Sequence, residues 1–121
     1  MAELAANPPL IGLEVVAIDT ETTGLDPKTA RIVQIGATMT DGTSEPFDEL
    51  VNPEGPIPPA STVIHGISDD DVKDAPRYRD LAGRLEEYCA GKVMLGHNIS
   101  FDVAVIDAED DRAGREAAAP R

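Results

Sequence analysis

Tryptophan is absent from this 121-residue chain, and two Phe and two Tyr are its whole aromatic complement, so any core has to be aliphatic. Cysteine occurs once, at Cys89, which excludes an internal disulfide. The N-terminus lacks the basic, apolar and small-residue succession of a secretory signal, and with the lone cysteine this makes the cytoplasm the expected compartment. Long apolar runs are missing as well. The longest, Leu10 to Ile18, is broken by Gly12 and Glu14 and falls far short of the ~20 residues that a membrane span takes, so no membrane role is expected. Positive charge is scarce: ten Lys and Arg stand against 23 Asp and Glu, a net charge of −13. That balance excludes broad electrostatic gripping of a duplex, and a nucleic-acid contact would have to be small or carried by metal ions.

What remains suits one small domain. The hydrophobic content of 41% is ordinary for a globular chain. At this length a complete fold buries about two thirds of the unfolded surface, enough for one core without metal or disulfide staples.

Residues 1–12 read as a flexible leader, small and polar around Pro8-Pro9. Leu13 to Thr20 is a β-branched run of strand character, followed by a turn-rich stretch through Pro27. Arg31 to Thr40 predicts a second strand closed by Asp41-Gly42, a hairpin signal, and Phe47 to Val51 a third. Three strands in succession suggest an antiparallel meander. Asn52 to Pro59 packs four prolines into a loop. Ser61 and Ser68 are placed to cap short helical turns, the second with a capping-box acid at Asp71. From Arg77 to Ala90, the spacing of Tyr78, Leu81, Leu85 and Tyr88 predicts an amphipathic helix that packs on the sheet and stops at Gly91. Lys92 to Leu95 is a short apolar strand, Gly96 to Ser100 a turn, and Phe101 to about Asp111 a last helix. That helix is apolar at 101 and 103–106, more than a solvent-facing helix needs, which predicts cover from further elements.

Asp19 and Glu21 close strand one at positions i and i+2, which point to the same side of a strand. Two like charges on one face are costly unless a cation or proton lies between them, and hard oxygen donors suit Mg²⁺ or Mn²⁺. A polar strand exit would look the same. Asp102 has two readings also: an acid favoured by the first turn of a helix, or a carboxylate set among Phe101 and Val103 to Ile106. His97 reads as a turn residue, and His65, flanked by apolar neighbours, as a packed core or turn residue.

Read together, the blocks Val16-Ala-Ile-Asp19-Thr-Glu21-Thr-Thr-Gly24-Leu, Arg31-Ile-Val-Gln-Ile-Gly-Ala, Leu50-Val-Asn-Pro, Ile64-His65-Gly66-Ile67 and Gly96-His97-Asn98-Ile-Ser-Phe101-Asp102 closely resemble the DnaQ-like (DEDD) 3′-5′ exonucleases. The resemblance runs from about Val15 to Ile106. It implies an α/β fold, an RNase H-like mixed sheet with flanking helices and strand one central. It also implies an active site where carboxylates hold two divalent ions, Mg²⁺ or Mn²⁺, about 3.5–4 Å apart against the terminal phosphodiester. By that resemblance Asp19 matches the acid shared by both ions, Glu21 a ligand of the tighter one and Asp102 the acid serving the other. His65 matches the histidine lining the terminal-nucleotide pocket, and Thr20 the backbone near the substrate's 3′ end. The implied partners are a single-stranded 3′ end, DNA before RNA, and a DNA polymerase complex, since the family takes in the exonuclease subunit of DNA polymerase III. An oligoribonuclease or ribonuclease T type enzyme would share every block quoted.

The family's third motif, a His or Tyr shortly before a fourth Asp on a late helix, has no counterpart after Ile106, and Ala60 stands where relatives often carry Glu. The expectation is therefore a partial exonuclease domain over 13–112 with a truncated tail over 113–121, its C-terminal strand and helices missing. Such a chain would be inactive when isolated. The alternative is a catalytically silent fragment that binds metal or nucleotide weakly or serves as an interaction module.

Overall fold

The computed structural model describes residues 14–42 and 44–115. The expected leader, Leu13 and all but the first three residues of the expected tail lie outside the described residues.

The elements run β1 (Val15–Thr22), β2 (Ile32–Met39), β3 (Phe47–Leu50), α1 (Pro59–His65), α2 (Asp69–Val72), α3 (Tyr78–Cys89), β4 (Val93–Leu95) and α4 (Ile99–Arg112). They form a mixed sheet in the order β3-β2-β1-β4, with β1 antiparallel to β2, β2 antiparallel to β3, and β4 parallel to β1. Strand one is thus flanked on both sides, as expected, and the three consecutive strands form the meander.

Alternation along β1 explains its placement. Val16, Ile18, Thr20 and Thr22 are buried, while Asp19 is exposed and Glu21 half-buried on the opposite face. The inward residues meet Ile32, Ile35 and Ala37 of β2, Tyr78, Leu81 and Leu85 of α3, and Val105 and Ile106 of α4. The core is aliphatic, as the shortage of aromatics requires.

The β1–β2 ladder slips once. Glu21 faces Gln34 but Thr22 faces Ile32, so Val33 is an extra residue on β2, a bulge. Downstream, Ile35 and Ala37 alternate into the main core; upstream of the slip it is Ile32 that enters it. Val33 instead joins a second cluster with Ile57 and Ile67, from the loops before and after α1, and Val72 of α2.

Ser68 behaves as expected: the Asp71 carboxylate accepts its N–H at 2.9 Å and its hydroxyl at 3.0 Å, and these bonds hold Asp71 below the usual carboxylate range. Ser61 does not cap a helix. The proline-rich approach already fixes the start of α1, with Pro58 at the N-cap and Pro59 in the first turn. Ser61 therefore lies inside α1, and its hydroxyl donates to the Thr23 carbonyl at 2.9 Å.

The inward face of α4 is less apolar than its sequence suggests. Val105 and Ile106 are buried, but so are Asp102, Glu109 and Asp110, whereas Phe101, Val103 and Ala104 are only half-buried. Buried carboxylates persist only where donors meet them. Thr20 meets Asp102, Arg31 and the Ile32 N–H meet Glu109, and the Tyr78 hydroxyl donates to Asp110 at 2.6 Å. Burial, followed by the Asp110 contact, pushes the Tyr78 hydroxyl well above its ordinary pKa.

Ile35 is fully buried and Val63 is 85% exposed. Ile35→Ala should cost about 2–5 kcal/mol in urea denaturation, and Val63→Ala should stay within about 0.5 kcal/mol of the parent.

Candidate active site

The C-terminal half of β1 places three chemistry-bearing residues in a row. Asp19 and Glu21 share the open face, where they line one pocket of about 230 Å³ with Gln34, Gly36 and Asp48 among its other walls. Thr20, between them, points the other way and is 8% exposed.

Asp102 enters from the first turn of α4. Its Oδ1 accepts the Thr20 backbone N–H at 3.1 Å and the Thr20 hydroxyl at 2.5 Å. The third acid is therefore tied to the residue that separates the other two. Asp102 is 3% exposed, and burial holds its pKa above the ordinary carboxylate value. The nearby Asp19 charge adds to the rise, while the Thr20 bonds oppose it.

Close approach makes this contact possible. A Cβ at Gly96 would stand 2.7 Å from the Ile18 carbonyl oxygen, 3.3 Å from Ile99 Cδ1 and 3.5 Å from Asp102 Oδ2. Only glycine lets the turn after β4 lie against β1 while α4 begins beneath Thr20.

His65 ends α1 and is half-buried. Its Nδ1 accepts the Ile67 N–H at 3.1 Å, which leaves Nε2 as the donor to the Thr22 carbonyl at 3.0 Å. Both ring nitrogens are thus spent on backbone, and the ring faces are what His65 has to offer a ligand. Together with the Ser61 contact to Thr23, this bond clamps α1 to the end of β1. The same region exposes Leu25, Val63 and Ile64, at 88%, 85% and 75%. His97 is exposed in the turn before α4.

Hard carboxylate oxygens on one face suit a divalent cation, and Asp19 and Glu21 fit that requirement as a two-acid site. A fuller set is not gathered: among the described residues no group of three or more His, Cys, Asp or Glu is arranged to hold a metal ion. Asp102 stands on the inner side of β1, engaged with Thr20.

The exonuclease family model matches residues 16–121, most of the chain. The chain belongs to the exonuclease family. It is 40% identical over 115 residues to a DNA polymerase III subunit epsilon-like protein of Rhodobacter capsulatus, covering 91% of this chain and 16% of that protein. It is 38% identical over 95 residues to the DNA polymerase III subunit epsilon of Treponema pallidum, covering 77% of this chain and 44% of that one. The chain thus spans less than half the length of either relative. Exonuclease I in complex with a dT13 oligonucleotide shares the fold, with a TM-score of 0.78 at 23% identity over 88% of this chain and 25% of the other. The mixed sheet with its flanking helices is accordingly the RNase H-like exonuclease fold.

Sequence reasoning missed Glu109, Asp110 and their partners Arg31 and Tyr78. A signal was present: 102, 105, 106, 109 and 110 follow helical spacing, so the two later acids share a face with Asp102, Val105 and Ile106.

Because Asp102 binds a proton more readily when folded, stability falls as pH rises from the unfolded carboxyl pKa, ordinarily 3.8, through the raised folded value. Asp102→Asn keeps an acceptor for Thr20 without the charge, so it should raise the melting temperature at pH 7 in metal-free buffer. The gain should vanish toward pH 4, and a melting curve with no such pH dependence would refute the assignment. Gly96→Ala should lower the melting temperature and weaken protection of the Thr20 amide in hydrogen exchange.

Proposed function

We propose that this chain carries part of a 3′-5′ exonuclease site that hydrolyses nucleotides from the 3′ end of a single strand, DNA before RNA. The observation that carries the reading is the pairing of Asp19 and Glu21 on one strand face lining one pocket, with Asp102 bonded to the residue between them. The family membership and the epsilon relatives agree with it, and they make a DNA polymerase complex the natural partner. No described helix is long and apolar enough to cross a membrane, and a cytoplasmic setting fits a replication or repair role.

In this reading Asp19 and Glu21 hold a divalent cation, Mg²⁺ or Mn²⁺, and Asp102 serves a second ion. Such ions, when bound, polarise phosphoryl oxygens and activate water for attack. They also supply local positive charge in a chain whose formal net charge is −13. The protein's own groups do the positioning. Thr20 holds Asp102 through its amide and hydroxyl, and the clamp from His65 to Thr22 keeps α1 beside the end of β1. With both nitrogens engaged, His65 contributes a ring face at the terminal nucleotide. Leu25, Val63 and Ile64 give apolar surface nearby on which an unpaired base can lie.

One observation favours the second reading, a silent metal- or nucleotide-binding or interaction module: the described residues gather no three-ligand metal group. Neither a third-motif His or Tyr nor its accompanying Asp is found on a separate helix among the described residues. Loss of a positioned general base alone costs about 10²–10⁴-fold, so residues 1–121 should show near-background hydrolysis.

Two measurements test the proposal. Mn²⁺ relaxation or calorimetry should detect weak binding that Asp19→Asn largely abolishes, and binding indifferent to that substitution would sink the metal assignment. A 3′-labelled oligonucleotide should survive incubation with the chain and Mg²⁺. Digestion at an ordinary enzyme rate, lost in Glu21→Ala, would disprove the expected inactivity while upholding the site.

A further inference from the structure

We infer that the cleft between the residue before β2, the first turn of α3 and the end of α4 is a second binding site, one that takes a phosphate group on Arg31, Arg79 and Arg112. It does not depend on the reading of Asp19 and Glu21 given above.

Cations are scarce in this chain, ten Lys and Arg against 23 Asp and Glu, yet three of the ten line one pocket of about 220 Å³. Its other walls include Glu54, Glu109 and Tyr78. Three guanidiniums beside two carboxylates give this pocket a net positive wall. The pocket of Asp19 and Glu21 is lined instead by a third acid, Asp48, and by no described cation. In metal-free solution an anion is therefore drawn to the arginine pocket and repelled from the other.

Two of the arginines are held in place by the protein itself. Arg31 Nε donates to both Glu109 oxygens at 3.1 Å, with Nη2 3.0 Å from Oε1. Arg112 Nη1 lies 3.5 Å from the same oxygen, and its Nη2 donates to the Lys28 carbonyl at 2.7 Å. Glu109 sits behind them: its side chain is 1% exposed, against 27% and 32% for the arginines. A solute entering the pocket thus meets guanidinium edges before the carboxylate that orients them. Arg79 is the adjustable member. Its side chain is 58% exposed, and its carboxylate neighbour Glu54 stays 3.7 Å away, beyond hydrogen-bonding distance. Tyr78 adds a neutral wall, its hydroxyl already donating to Asp110 at 2.6 Å. Planar guanidinium forks match phosphate oxygens in pairs, and three forks arriving from three elements suit a tetrahedral oxyanion, whose oxygens point in several directions. That phosphate can belong to a nucleic-acid backbone or to a free phosphomonoester.

The test titrates inorganic phosphate into the 121-residue chain in metal-free buffer at low ionic strength and follows the arginine Nε–H signals by NMR. Phosphate should shift the Arg31 and Arg79 signals saturably. Arg79→Gln, at an exposed position that leaves the Glu109 contacts intact, should weaken binding by about 10-fold. Glu54→Gln removes one of the pocket's two acids and should tighten binding by about 3-fold. Glu87→Gln makes the same change in net charge at an exposed position outside the pocket, and affinity should stay within about 2-fold of the parent. Two competitors then separate the sources. Displacement of phosphate by an unphosphorylated dT oligonucleotide assigns the site to a strand backbone, and displacement by thymidine 5′-monophosphate alone assigns it to a free phosphomonoester. Shifts that do not saturate, unchanged affinity in Arg79→Gln, or equal effects of Glu54→Gln and Glu87→Gln would each overturn the inference. So would phosphate binding that neither competitor displaces, which marks an adventitious ion only.

Discussion

A carboxylate that must be satisfied underneath the sheet organises this molecule. Burying Glu109 without partners would cost several kcal/mol, and the donors that meet it come from the turn between β1 and β2 and from the first backbone amide of β2. The ladder slips beside them, between Glu21 and Thr22. Ile32 lies in the main core, and Val33 in the second cluster with Ile57, Ile67 and Val72.

Helix α4 carries this logic along its whole inward face. Asp102 reaches the end of β1, Glu109 the start of β2 and Asp110 the start of α3, with Val105 and Ile106 between them. The helix is held to the sheet at both ends by polar contacts and in the middle by aliphatic ones. The three acids differ in what answers them. Glu109 meets two arginines, and Asp110 a hydroxyl with Arg115 at 3.6 Å, whereas Asp102 meets only neutral donors of Thr20 and a neighbouring negative charge. Burial accordingly raises the pKa of Asp102, with the nearby Asp19 charge adding to the rise.

Much of this was legible in the sequence. β-Branched runs bounded by turn signals located β1 and β2, Asp41-Gly42 marked the hairpin, and the spacing of Tyr78, Leu81 and Leu85 located α3, because each signal is local and the tertiary fold reinforces it. The pairing of Asp19 with Glu21 followed from strand geometry alone. The buried Glu109 and Asp110 on the inward face of α4 were not legible, because the donors that meet them are brought together only by the tertiary fold, for Glu109 from more than seventy residues away in sequence. Ser61 misled for a related reason. Its hydroxyl serves the end of β1, and the prolines before it had already set the helix. The bulge left no local mark at all, because Ile32 and Val33 are both β-branched and both buried, in different clusters.

That bulge makes the parity of β2 a property of the fold. On either side of Val33 the odd and even positions exchange meaning, so the strand serves two compartments with one continuous run of side chains. The turn between β1 and β2 can change in length at modest entropic cost, since loop closure grows slowly with added residues. A single residue gained or lost between Ile32 and Ile35 has no such tolerance. It would restore strict alternation and send one compartment's lining into the other.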